Sequence, residues 1–111
     1  MWRRSHTTVI ERDRVWDGGF ETEPCEAGWA GEALFFVRTL EAEAHLDNLR
    51  ARVQISPDGL HWCDEGTELR LGDTAEVTFA KVSGFGTYLR LVGELPDGVR
   101  LRVIVYVALK E

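Results

Sequence analysis

The stretch Val99-Arg100-Leu101-Arg102-Val103-Ile104-Val105-Tyr106-Val107-Ala108-Leu109-Lys110 decides the fold class. Its odd positions, Val99 through Leu109, form an unbroken apolar series, while Arg100, Arg102 and Lys110 fall on the even side. A period of two is the period at which a β-strand turns successive side chains to opposite faces. The β-branched content of the segment favours the same assignment. The even side is not wholly polar. Ile104, Tyr106 and Ala108 lie between Arg102 and Lys110, so this strand is expected to be covered on both faces.

Working outward, Leu49, Ala51, Val53 and Ile55 alternate with Arg50, Arg52 and Gln54, the pattern of a strand with one wet face. Ser56-Pro57-Asp58-Gly59 follows as a turn, with proline presetting φ and glycine accepting positive φ. Leu60, His61 and Trp62 then read as the start of the return strand of a hairpin. Thr67–Leu71, Ala75–Val82 and Tyr88–Leu95 read as further strands, separated by Gly72-Asp73, Ser83-Gly84 and Pro96-Asp97-Gly98. Toward the start, Thr7–Ile10 and Arg14–Trp16 read as short strands and Asp17-Gly18-Gly19 as a turn. Glu21–Trp29, with Pro24 and Gly28 among acidic residues, reads as a loop.

The segment Ala33–His45 reads two ways. Its Glu, Ala, Leu and Arg content suits a helix, with Leu46, Leu49 and Val53 at helical spacing. Alternation favours a strand with Leu34, Phe36, Leu40, Ala42 and Ala44 on one side and Asp47-Asn48 as a turn. On the strand reading, Phe35 and Val37 make a second apolar side. The sum is an all-β chain, a single antiparallel jelly-roll-like β-sandwich of about eight strands.

The chain has 111 residues, which suits one domain over 1–111 with one core. Hydrophobic residues at 44% and charged residues at 29% put it in the globular regime. A net charge of −6 argues against sequence-specific nucleic-acid binding, which needs a Lys/Arg stripe to displace counterions. Trp2, Arg3 and Arg4 are the exception in sign. Residues 1–6 read either as a flexible arm or as one that reaches a neighbouring subunit or an enclosed cargo. No run approaches the roughly 18 apolar residues of a membrane helix, and the start lacks the order of a signal peptide. The expected location is the cytoplasm or a particle assembled there. Cys25 and Cys63 are expected as free thiols, with a cross-link left open, since pairing needs Cα atoms within about 7 Å.

Val53-Gln54-Ile55-Ser56-Pro57-Asp58-Gly59-Leu60-His61-Trp62, followed by Gly86-Thr87-Tyr88-Leu89-Arg90-Leu91 and the final strand, resembles small β-sandwich modules of phage virion and tail proteins. The shared pattern is Ser-x-Asp-Gly-x-x-Trp and then Tyr-Leu-Arg, over about the last half of the chain. The later part of discoidin-type, galactose-binding-like domains is similar to it, but the early aromatic strand of those domains has no counterpart in Met1–Gly31. The resemblance implies a structural subunit present in many copies and without catalysis. In such a pattern Asp58-Gly59 closes the turn and Trp62 is expected to fold over one end of the core.

Signatures of catalysis are absent: there is no phosphate loop, no His-Glu-x-x-His and no Cys-x-x-Cys. His61 and Cys63 would share a strand face and could hold zinc with His45 or His6, or act as a thiolate pair, but nothing marks the remaining groups. Asp13, Asp17, Glu21, Glu23 and Glu26 lack the spacing of a calcium loop or a glycosidase pair, and read as a solvated acidic surface. No cofactor, metal ligand or catalytic residue is expected. Trp16, Phe20, Trp29 and Trp62 either cap the sandwich or, for the tryptophans, stack on sugar as in a carbohydrate-binding module.

Two strands that are apolar on both sides point to function. A small monomer has too few layers to bury both faces, whereas a subunit packed against its symmetry mates does not lack for cover. The expected interface is Phe35, Val37, Ile104, Tyr106 and Ala108. The chain is therefore expected to be a non-enzymatic, self-assembling structural subunit, with itself as principal partner and other particle components or cargo as further ones.

Overall fold

The computed structural model describes residues 4–43 and 48–111. Among these there are nine strands and no helix: β1 (Ser5–Asp17), β2 (Gly19–Glu21), β3 (Cys25–Glu26), β4 (Glu32–Ala42), β5 (Arg50–Ser56), β6 (Cys63–Arg70), β7 (Val77–Ser83), β8 (Tyr88–Glu94) and β9 (Arg100–Lys110). They form two antiparallel sheets. One has the order β1-β9-β4-β7; the other has the order β2-β8-β5-β6, with β3 also pairing β8. Inner faces pack on one another as in a β-sandwich.

The alternation read in the final strand is what places β9 in the middle of its sheet. Leu101, Val103, Val105, Val107 and Leu109 are all buried. They lie between β1 and β4, in register with both. Ala51, Val53, Leu69, Leu89 and Leu91 face them from the other sheet. The segment at Ala33 is a strand, as alternation favoured; Ala44, His45, Leu46 and Asp47 lie outside the described residues.

Four local features depart from the sequence reading. Thr7–Ile10 and Arg14–Trp16 belong to one long strand, joined across two register shifts between Val9 and Arg14, with Asp13 at φ 52°. Such bulges add a residue to one strand without ending it. The Glu21–Trp29 loop contains β3, which continues the pairing of β2 along β8 beyond Pro24, a residue with no N–H to donate. The return strand of the hairpin starts at Cys63, since residues 57–62 are used in the turn. It then runs without a break through Arg70.

That turn is held by two side chains. Ser56 Oγ accepts from the Gly59 N–H at 2.8 Å and donates to Asp58 Oδ1 at 3.0 Å. Asp58 Oδ1 accepts from the backbone N–H groups of His61 and Leu60 at 2.9 and 2.8 Å, and Oδ2 meets His61 Nδ1 at 2.7 Å. Gly59 has φ 79° and lies beside the Tyr88 ring, which explains glycine there. The His61 N–H, then the His61 ring and the Leu60 N–H, hold the Asp58 carboxyl well below the usual range.

A lowered folded-state pKa contributes stability that is fully present above the unfolded value and lost as pH falls through the folded one. Wild type should therefore exceed Asp58→Asn in urea midpoint by a constant margin above about pH 4, and the margin should shrink on further acidification. A margin that widens below pH 4 would contradict this account of the turn.

Packing is tight where β2 meets β8. Phe20 stacks on buried Trp16 with ring centroids 4.0 Å apart and planes 11° from parallel. A Cβ on Gly93, directly across the ladder, would lie 2.5 Å from Phe20 Cζ and 3.3 Å from the Arg50 carbonyl oxygen. The ring is pinned by Trp16 and cannot yield freely. Gly93→Ala should cost about 1–3 kcal/mol in chemical denaturation, and a neutral result would show that Phe20 is not held as described.

Candidate functional site

Burial of the odd residues of β9 turns its even residues outward, and register carries that side across the sheet. Tyr106 lies between Val9 of β1 and Phe36 of β4, and Phe36 lies beside Phe79 of β7. The next row runs Thr7, Ala108, Leu34, Lys81; the one on the other side brings Ile104 to Arg38 and Val77. The outer face of the β1-β9-β4-β7 sheet is thus a continuous apolar patch with Arg38 and Lys81 at its margin. Phe36 and Phe79 are in tilted contact with centroids 6.1 Å apart. Val77 and Phe79 are 57% and 62% exposed.

The expected interface residues divide. Ile104 and Tyr106 lie half-buried on this face, and Ala108 is a small, nearly covered residue between larger neighbours. Phe35 and Val37 do not belong there: both are fully buried in the chain's own core, in register with Val107 and Val105. The outward residues of β4 are instead Leu34, Phe36, Arg38 and Leu40. Sequence reasoning missed Val77 and Phe79. The available signal was that Val77 and Phe79 share one parity while Ala80 and Val82 share the other, a third two-faced strand.

The opposite face of the sandwich is built differently. There Arg90 donates from Nε to Gln54 Oε1 at 2.9 Å and from a terminal nitrogen to Glu21 at 2.6 Å. Its guanidinium lies 4.1 Å from the centroid of the Trp62 ring. Gln54 in turn donates to Asp64 at 2.9 Å. Arg90, Gln54 and Glu21 border a shallow groove of about 370 Å³, also lined by Arg52 and Glu94. Most of its polar side chains are engaged with one another.

The aromatic candidates for sugar stacking are mostly taken up inside the molecule. Trp16 is buried against Phe20, so it offers no ring to a ligand. Trp29 is half-buried with Arg4 4.5 Å from its ring centroid, and Trp62 lies on the outer surface with Arg90 rather than over the core. Of the proposed arm, Trp2 and Arg3 lie outside the described residues. Arg4 is fastened to its own chain by ion pairing to Glu111 at 3.1 Å and by the Glu111 N–H donating to the Arg4 carbonyl at 2.9 Å.

His61 sits in the turn with Asp58, not on a strand face shared with Cys63. Among the described residues no group of three or more His, Cys, Asp and Glu is placed to hold a metal ion. Of the acidic series, Asp13, Asp17 and Glu21 are paired with Arg102, Arg100 and Arg90. Glu26 accepts from the Gly28 N–H. No helix of the described residues is long and apolar enough to cross a membrane.

Both cysteines are free thiols, Cys25 buried and Cys63 exposed. Burial, aided by the Glu26 carboxylate, pushes the Cys25 thiol up. With the thiolate as the reactive form, a neutral-pH assay with an aromatic disulfide should titrate Cys63 promptly and Cys25 only after denaturation. Two thiols reacting at one fast rate in the native protein would contradict this placement.

No protein-family model matches the chain, and no curated protein matches it in sequence. The crystal structure of SPBc2 prophage-derived protein YomS is similar in fold, with a TM-score of 0.58 and 9% sequence identity. The similarity covers 100% of this chain and 96% of that one. A prophage-derived protein therefore shares this β-sandwich. The likeness bears on fold alone, and gives no support to the Ser56–Trp62 motif or to a discoidin-type relation.

Proposed function

We propose that this chain is a non-enzymatic structural subunit that associates with copies of itself through the outer face of the β1-β9-β4-β7 sheet, as a component of a virion, tail or protein shell. One observation carries the reading: Val9, Tyr106, Phe36 and Phe79 form an apolar row across the whole sheet, flanked by Leu34, Ala108, Ile104 and Val77. Monomers rarely expose contiguous apolar patches above a few hundred Å². Covering such a face contributes on the order of 25 cal/mol per Å² before entropic costs.

The strand order supports the same reading. With β2 and β3 counted as one interrupted strand along β8, the sheets β1-β9-β4-β7 and β2-β8-β5-β6 have the interleaved arrangement of a jelly roll, an architecture used by capsid subunits. The fold likeness to a prophage-derived protein fits a phage-type particle. Association requires only complementary surfaces, with Arg38, Lys81, Glu32 and Lys110 around the patch to set register.

Tyr106→Glu and Ile104→Glu each place a carboxylate in the patch while leaving the inner face of β9 untouched. Each should raise the dissociation constant of the assembly at least about tenfold, equivalent to about 1.4 kcal/mol, as read by light scattering, with an unchanged near-ultraviolet dichroism spectrum. Particle size unaffected by both substitutions would overturn the proposal.

A further inference from the structure

We propose that two copies of this chain join edge to edge along β7, antiparallel about a two-fold axis at Phe79, so that their four-stranded sheets become one continuous sheet. This rests on the self-association reading above and specifies how the first contact is made.

The backbone of β7 is set up for it. The Thr39 N–H donates to the Glu76 carbonyl at 2.9 Å, and the register of β4 with β7 holds unbroken from Glu32↔Ser83 to Arg38↔Val77. In an antiparallel ladder, hydrogen-bonded pairs alternate with non-bonded ones. Continuing from Thr39 and Glu76, the residues that bond to β4 are Thr78, Ala80 and Val82. Val77, Phe79, Lys81 and Ser83 therefore turn their N–H and C=O groups to the free side. Among the described strands β7 pairs with β4 alone. Its free side is a row of donors and acceptors that another strand would satisfy.

Other edges in the described residues are blunted. β1 carries two register shifts and Asp13 at positive φ, with charged Arg12, Asp13 and Arg14 along it. β6 has Gly66 at φ 112° and charges at Asp64, Glu65, Glu68 and Arg70, and its pairing with β5 shifts register. β2 and β3 are short and divided by Pro24. β7 is regular, with Lys81 as its only charge. Proteins guard exposed edges with bulges, short strands and charges, and those devices are concentrated everywhere but here.

A second copy suits this edge better than an unrelated strand. A two-fold axis at Phe79 pairs the central outward-bonding residues with one another: Phe79 with Phe79 of the second copy, and Val77 with its Lys81, while Ser83 falls at the end of the ladder, opposite Ala75. The two lysines are held on opposite sides of the axis, and each aliphatic stem lies over a valine. The same operation abuts the exposed Phe79 and Val77 side chains, merging two apolar patches into one band that crosses the dimer.

The test uses Lys81, whose N–H faces the free edge. Lys81→Pro removes that donor without touching the β4 ladder, and Lys81→Ala controls for the side chain. In sedimentation, Lys81→Ala should assemble within about twofold of the parent and Lys81→Pro at least about tenfold more weakly. Independently, Phe79→Cys in a Cys63→Ser background should form a covalent dimer on mild oxidation. Directly bonded antiparallel partners have Cα atoms about 5.5 Å apart, within disulfide reach. Val15→Cys on β1, in the same background, should not.

Lys81→Pro assembling like Lys81→Ala, or no covalent dimer from Phe79→Cys, would overturn edge pairing while leaving an oligomeric parent and the face-to-face reading intact. A parent that stays monomeric would overturn both.

Discussion

The structure turns on the constraint that β9 is the second strand of a four-stranded sheet and has no polar side to give to water over its central turn of residues. One side, Leu101 through Leu109, fills the sandwich interior. The other has Tyr106 and Ala108 in register between β1 and β4 and Ile104 in register with β4, and cannot be rotated away without exposing the first. Shifting the strand by one residue would place Arg100, Arg102 and Lys110 in the core, at a cost no neighbouring group is placed to offset. The fold therefore fixes an apolar outer surface as the consequence of fixing an apolar inner one.

The two faces of the sandwich answer this constraint differently. On the β2-β8-β5-β6 side, the central outward residues find partners in their own chain: Arg90 meets Glu21, Gln54 and Trp62, and Gln54 meets Asp64. On the β1-β9-β4-β7 side, aromatic and aliphatic side chains lie in rows, and the row through Tyr106 and Phe36 ends in Phe79, which is mostly exposed at the sheet edge. A surface whose polar groups are mutually engaged can stay in water indefinitely. The apolar row instead grows more exposed toward a regular edge strand, which is why we propose a second copy as its cover.

The parts of the fold that were legible in the sequence are those where one parity is polar. β9, β5 and the Ser56–Gly59 turn could be read because arginines mark the wet side and Pro-Asp-Gly marks the reversal. In β4 both parities are apolar, and alternation alone cannot say which faces inward. The residue that breaks the tie is Arg38, on the same side as Leu34, Phe36 and Leu40. Its signal is obscured because a register shift between Thr39 and Glu41 moves the later residues to the other parity. Phe35 and Val37 were placed on the wrong side for that reason. The joined β1 was missed on similar grounds: bulges keep the chain paired while interrupting the period that identifies a strand. Trp62 lies with Arg90 instead of over the core, whereas Trp16, for which capping and sugar stacking were both open, packs on Phe20 in the core; its turn-rich context leaves that choice undecided in the sequence. The patch itself could be anticipated from Ile104 and Tyr106, whereas its extension to Val77 and Phe79 depends on β7 pairing with β4 across more than thirty-five residues of chain, a contact that no local pattern encodes.

The claim on which the account depends is that the outer face of the β9 sheet is covered by another copy of the chain. Sedimentation equilibrium of the unmodified protein over a wide concentration range addresses it most directly. The account predicts a mass that rises with concentration to a defined multiple of the 12.6 kDa protomer. A constant protomer mass at every concentration would contradict it.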